Sequence, residues 1–402
     1  MLKLNKPFLF SVALISATGL TSAVAHAEEI RFCAGPEMQC FAISRADVEQ
    51  YPDSLLAAMI STAVPTTQNV IDAVPHFVVQ NVFPATFGAI LYWMTSGDAW
   101  PLIDSTAVET IVGHARYLKL PLVTAVNAAR KQRICNDLEG YVRVPSDPGD
   151  GHREPTEDFC LMKYLASKDK KLASSRNRAH PWLPFSFADA EKACEVLGRG
   201  YHLVTNDEWM ATARAIERNP LNWNGGVGPV GTGTLSRGYS NMPPGATRAP
   251  LMAGDDDEPW FGTGSTDWNH KRTHHLDLGD TNVVWDMAGN LEQYVLDMTA
   301  RVRWGTAIAS VEFTSAAFRD QAHHPSEISR FAPSGPYDSR QNVGRMTIYP
   351  FGVAQITRGG SLFSGDSAGI YAADVRGQGQ LGEYAVGFRC AYSIPKSFTI
   401  RE

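Results

Sequence analysis

The sequence predicts an α+β protein of two domains behind a short leader. Three observations predict it. Of the 402 residues, 44% are hydrophobic; strand-like and helical periodicities alternate through the first third of the chain; and the composition changes character near residue 135. That is enough apolar material for two packed cores of ordinary size. With 19% charged residues and a formal net charge of −6, the chain is not of the disordered class. It also lacks the basic excess usual in nucleic-acid-binding proteins.

Residues 1–27 read as a secretory signal peptide. Lys3 and Lys6 precede an uncharged apolar run from Pro7 to Val24, and Ala25-His26-Ala27 supplies a small-x-small cleavage signal. The expected location is secreted or periplasmic. A second uncharged stretch, Ala73–Gly97, contains His76, Gln80, Asn81, Pro84 and Thr86, which a lipid-facing helix would carry at a cost. It predicts a buried strand followed by a buried helix, and no membrane span in the mature chain. The six cysteines form no CxxC pair. An even count in an exported chain predicts disulfides rather than structural zinc.

The first domain is expected over 28–134. Strand candidates lie at Ile30–Cys33, Cys40–Ile43 and Phe77–Val79. A helix is expected from Asp53 to Met59, opened by the acid after Pro52. A second carries Phe87, Ile90, Leu91 and Met94 and stops at Ser96-Gly97; a third carries Val108, Ile111, Val112, Ala115 and Leu118. Three pieces stand out in this order: Tyr51–Met59, Phe87–Gly97 and Ala115–Leu122. On them the domain resembles the BTB/POZ fold, closest to the tetramerisation domains of voltage-gated potassium channels. Gln80 and Asn81 replace that family's charged residues between strand and helix. The resemblance implies self-association through residues 29–131, not chemistry.

Pro145–Asp158 (PSDPGDGHREPTED) is polar and rich in turn formers, so 135–157 reads as a linker. The second domain is expected over 158–402. Residues 221–290 hold 12 of the 34 glycines and four of the nine tryptophans, which predicts long loops pinned by aromatic packing. Three stretches carry a second resemblance: Phe187–Cys194 with Gly200–Arg214; Trp285–Tyr294 (WDMAGNLEQY); and Arg358-Gly359-Gly360-Ser361 followed by Gly387-Phe388-Arg389-Cys390. In order and spacing they are similar to the formylglycine-generating enzyme, or sulfatase-modifying factor, family, whose fold is a C-type-lectin-like variant. Locally, Gly200 is expected to close the first helix, Asn206 and Asp207 to cap the next, and Arg389 to make a buried structural contact.

This second resemblance carries further implications. Cys194 and Cys390 match a family disulfide; Cys33–Cys40 and Cys135–Cys160 then follow by elimination. The formylglycine-generating members hold copper with two cysteines between the last two motifs, and here Leu362–Val386 contains none, so no copper is expected. Family calcium ligands map to Asn241, Asp255 and Asp257 for one ion. For a second they map to Asp286, Gln293 and the carbonyls of Gly289 and Leu291, a structural role in both cases. Asp374 and Arg376 stand in the interval that replaces the catalytic segment, as candidate ligand-cleft residues or as a salt bridge holding it.

Other chemistry finds little footing. His274-His275 and His323-His324 lack the helical i, i+4 spacing of a zinc protease and read as exposed loop histidines; no GxSxG occurs. The expectation is an exported oligomeric binding or scaffold protein whose lectin-like, non-catalytic domain presents a loop surface in several copies, with a peptide or glycan as the candidate ligand. The alternative is a metal-dependent oxidoreductase or protein-modifying enzyme of the same superfamily.

Overall fold

A computed structural model of the chain describes residues 28–62, 69–71, 74–150, 154–184, 186–223, 229–241, 272–278, 282–299, 309–316, 318, 329–348, 354–377, 386–396 and 399–400. The expected leader, Asp255, Asp257 and the His323-His324 pair lie outside the described residues. The chain packs as two compact units, one up to Leu122 and one from Val123. No helix among the described residues is long and apolar enough to cross a membrane.

The first unit holds strands β1 (Glu29–Ala34), β2 (Gln39–Ser44), β3 (Asn69–Ile71) and β4 (Val74–Val79), with helices α1 (Arg45–Glu49), α2 (Leu55–Thr62), α3 (Pro84–Ser96) and α4 (Val108–Tyr117). Its sheet runs β2-β1-β4-β3, parallel between β1 and β4 and antiparallel elsewhere. Phe32 is buried on one face of β1, against Phe77 and the edge of Phe87 from α3. α3 opens on Pro84, whose fixed φ suits a first helical turn, and stops where Gly97 takes φ 69°. α2 begins later than its acid suggests. Ser54, not Asp53, accepts the cap hydrogen bond, from the Ala57 amide at 3.1 Å. Cys33 and Cys40 face each other across β1 and β2 and are joined.

The second unit contains α5 (Leu122–Asp137, from Val123), α6 (Phe187–Glu195) and α7 (Asn206–Arg218), with strands β5 (Tyr141–Val144), β6 (Phe159–Met162), β7 (Ala166–Asp169), β8 (Leu172–Ser175), β9 (Tyr201–Leu203), β10 (Thr273–His275), β11 (Val283–Trp285), β12 (Glu292–Thr299), β13 (Ala309–Val311), β14 (Met346–Ile348), β15 (Ala354–Arg358), β16 (Ala373–Gly377), β17 (Val386–Phe388) and β18 (Cys390–Ser393). A six-stranded sheet runs β13-β14-β16-β15-β12-β17 and a four-stranded one β5-β6-β18-β9; β10–β11 and β7–β8 form two-stranded pairs. Residues 135–144, expected to open the linker, thus carry the end of α5 and strand β5.

Trp209, Met210 and Ile216 on α7 pack into one core with Trp223, Val284, Ile356 and Tyr371. Two disulfides reinforce the unit: Cys135–Cys160 joins α5 to β6, and Cys194–Cys390 joins α6 to β18. Ile400 is held to Asn127 by paired hydrogen bonds of 2.9 and 2.8 Å.

Two local expectations give way. α6 stops at Glu195, five residues before Gly200, which instead takes φ 94° at the entry to β9, where a Cβ would meet the Tyr392 ring at 2.9 Å. The α7 cap is Thr205, in a capping box with Glu208; Asn206 is already helical.

Candidate functional site

The motif-bearing segments of the second unit converge at the end of β15. Gly359 and Gly360 take φ 87° and 72°, and a Cβ would lie 2.9 Å from the Met287 carbonyl at the first and 2.7 Å from the Ala368 Cα at the second. Only glycine lets the backbones approach this closely. Arg358 is fully buried beneath the turn. Its guanidinium donates to Asn206 Oδ1 at 2.9 and 2.5 Å, to the Arg330 carbonyl at 2.7 Å and to the Tyr371 carbonyl at 3.2 Å. It also lies 4.8 Å from the Phe331 ring centre. The following loop is anchored by its own backbone, Leu362 N–H to the Asn290 carbonyl at 3.0 Å and Gly365 N–H to the Ser240 carbonyl at 2.7 Å.

A second turn, Asp286–Leu291, leaves β11 and enters β12. Asp286 sits at φ 56° and Asn290 at φ 64°. Two fully buried arginines serve this turn. Arg272 meets the Asp286 carboxylate, and Arg389 donates to Gln293 Oε1 at 2.7 Å, to the Met162 carbonyl at 2.8 Å and to the Trp285 carbonyl. Burial pulls the Arg389 guanidinium down to about 10, opposed by Asp286 and reinforced by Arg272, so it stays cationic at neutral pH. Arg389 has the buried structural role expected of it.

His274 departs from expectation. It lies in β10, fully buried, with Nε2 2.9 Å from the Ser236 carbonyl. Burial first, then the neighbouring His275 and Arg389, outweigh the raising effects of Ser236 and Asp286 and bring it down to about 4. It is a neutral core residue.

Asp374 is half-buried in β16, opposite Thr347 of β14 and Thr357 of β15. Arg376 pairs with Gln355, on the same sheet face as Asp374 by strand alternation; its side chain lies outside the described residues. Asn241 follows Ser240, and its Oδ1 is 3.7 Å from where a Gly365 Cβ would stand. The backbone therefore brings Asn241 to the 362–368 loop and Asp286 to Gln293. Arg272 and Glu217 were not singled out from sequence, and Asn206 was expected only as a helix cap. Glu217 is buried and accepts from the Ser334 and Gly335 amides at 3.0 and 3.2 Å and from the Tyr371 hydroxyl. The partners of Asn206 and Glu217 lie more than a hundred residues away, and that of Arg272 fourteen residues away within a glycine-rich stretch, so no short-range pattern marks the contacts.

The side chains of Arg358, Asn206, Arg272, Asp286, Arg389 and Gln293 are all engaged in internal hydrogen bonds. What faces solvent is the loop. Phe363 is 46% exposed, and Asp366 pairs with Arg345 at 3.1 Å. Elsewhere on the unit an open groove of about 500 Å³ is lined by residues including Asn136, Tyr141, Lys163, Tyr164 and Asn177. Burial lowers the Lys163 ammonium, which stands over the Tyr164 ring at 5.8 Å.

Residues 153–394 match the Sulfatase-modifying factor enzyme 1-like domain. The chain belongs to this family. Two solved structures are similar to it. One is PvdO from Pseudomonas aeruginosa, 12% identical, covering 64% of this chain and 92% of that one, with a TM-score of 0.29. The other is Treponema denticola variable protein 1, 12% identical, covering 63% and 94%, with a TM-score of 0.30. No curated protein matches. The family match thus contains both turns and the Cys194–Cys390 bridge but only the Lys163–Asn177 side of the groove, since Asn136 and Tyr141 precede it; the first unit lies outside it.

Proposed function

We propose that this chain is an exported, self-associating binding protein whose second unit, carrying the family domain as a C-type-lectin-like variant, presents a loop and groove surface to a peptide or glycan. One observation carries the non-catalytic part of this reading. All six cysteines are paired in disulfides, and none stands between Ser361 and Val386. A thiol held in a disulfide is neither a nucleophile nor a soft metal ligand. Copper chemistry that relies on paired thiolates beside a substrate thiol therefore has no ligands here.

Self-association is supported by the first unit. It carries the Tyr51–Met59, Phe87–Gly97 and Ala115–Leu122 stretches on which the BTB/POZ resemblance rests, and it leaves Val78, Phe83, Tyr92, Trp100 and Tyr117 exposed. Export is supported by the leader-like residues 1–27 and by three disulfides. The decisive experiment incubates copper-treated mature protein with a peptide bearing the sulfatase-type cysteine motif, followed by mass spectrometry. An unmodified cysteine is expected. Conversion to the aldehyde would make the chain an oxidising enzyme.

A further inference from the structure

Asp286, Gly289, Leu291 and Gln293 are the positions to which the second structural calcium ion of the family maps. Their side-chain oxygens already have cationic partners. Arg272 Nε donates to Asp286 Oδ1 at 2.6 Å and a terminal nitrogen donates to Oδ2 at 2.6 Å. This is the two-pronged pairing that makes arginine–carboxylate contacts strong. Both side chains are shut off from water, at 0% and 2% exposure. The Asp286 amide also donates to the Arg272 carbonyl at 2.7 Å, so the pair is locked through backbone and side chain together. Gln293 Oε1 accepts from Arg389 at 2.7 Å, and its amide donates to the Asp286 carbonyl at 2.7 Å. The Gly289 carbonyl accepts from the Leu291 amide at 2.9 Å.

Calcium requires six to eight oxygens converging at about 2.3–2.6 Å. Here the only carboxylate of the set is chelated by one guanidinium, and the only side-chain amide oxygen is taken by another. A divalent ion would have to displace Arg272 and leave a buried arginine without its counter-charge, a strongly unfavourable exchange. Glutamine at 293, in place of the acid usual in the family, removes the second negative charge that such an ion would need. The residues do not fit calcium.

We propose that Arg272 is the resident cation of this turn. It supplies at Asp286 the positive charge that a metal would otherwise bring, and the Asp286–Gln293 set takes no calcium. The turn that packs against Gly359 is then held independently of extracellular calcium.

Two measurements on the full mature protein test this. The first is calorimetric titration of calcium into the wild type and into Asp286→Asn. Equal stoichiometry is expected, because any ion bound elsewhere appears in both; one ion fewer in the variant overturns the proposal. The second does not disturb the ion pair. Terbium bound at this turn would be sensitised by the adjacent Trp285, so emission under tryptophan excitation is compared between the wild type and Trp285→Phe at equal terbium. Equal emission is expected. A fall in Trp285→Phe places a lanthanide, and by extension calcium, at Asp286 and refutes the assignment even if Asp286→Asn fails to fold.

Discussion

Glu208 serves two partners. Its carboxylate accepts from the Thr205 amide at 2.9 Å, closing the cap of α7, and it also meets His202 Nε2 at 2.9 and 3.0 Å. Burial alone would lower the imidazole. The hydrogen bond and charge of Glu208, with help from the Gly200 carbonyl, outweigh it, so the His202 pKa is raised. A raised folded value means that protonated His202 stabilises the fold. That contribution is complete below the ordinary imidazole value of about 6.5 and is lost as pH rises through the folded value. His202→Gln keeps a polar group and removes the titration. The wild-type melting temperature, relative to that of the variant, should fall as pH climbs past neutrality; a constant difference would show that the pair carries no proton linkage. The His202–Glu208 contact is local, six residues apart, and so is the capping box. By contrast, the partner of Asn206 is Arg358, 152 residues away. Propensity therefore suggested Asn206 as a cap, when its oxygen is consumed by a buried guanidinium. Arg272 was missed for a related reason. Fourteen residues separate it from Asp286, and nothing in a glycine-rich stretch marks one arginine as buried.

Elements were more legible than side-chain partners. The apolar spacing of α3 and α4, and Gly97 after α3, are local signals, and each helix appears within a few residues of its expected span. Ends were less legible. α6 stops before Gly200 because the left-handed φ of that glycine is needed for the turn into β9 and the Tyr392 ring, not for the helix terminus. The three cysteine pairings were legible for different reasons, Cys194–Cys390 through the resemblance and the other two by elimination. Cys194–Cys390 ties α6 to β18 across a sequence separation of 196. Closing so long a loop restricts the unfolded chain by about 5 kcal/mol in a chain-entropy account, an upper figure. Replacing both residues by alanine leaves no stray thiol. It should lower stability by about 2–5 kcal/mol, read as a lower urea midpoint, while removing Cys33–Cys40 should leave the transition of the second unit unmoved. A Cys194→Ala/Cys390→Ala variant as stable as wild type would mean that the bridge is redundant with the packing around it.

At the scale of the whole molecule, the family domain and the first unit pose separate questions, since the family match begins only at residue 153. Self-association was expected through residues 29–131, and the obvious test, deletion of that stretch, is flawed. The second unit starts at Val123, so the deletion would also remove Asn127, which holds Ile400. It would remove Lys131 too, which pairs at 2.7 Å with the buried Asp158. A monomer produced that way would report damage to the second unit as readily as loss of an interface. Exposed side chains of the first unit give a cleaner test. Phe83 is 65% exposed at the N-cap of α3, and Tyr92 is 41% exposed on the same helix. Apolar side chains left in solvent are the material from which association surfaces are built, whereas charged replacements at exposed positions cost the fold little. Light scattering on the mature wild-type protein should give an integral multiple of the subunit mass. Phe83→Asp together with Tyr92→Asp should shift it toward the monomer, with the melting temperature of the second unit unchanged. A wild-type protein that scatters as a monomer at tens of micromolar would remove the self-association reading and leave a single-copy binding protein.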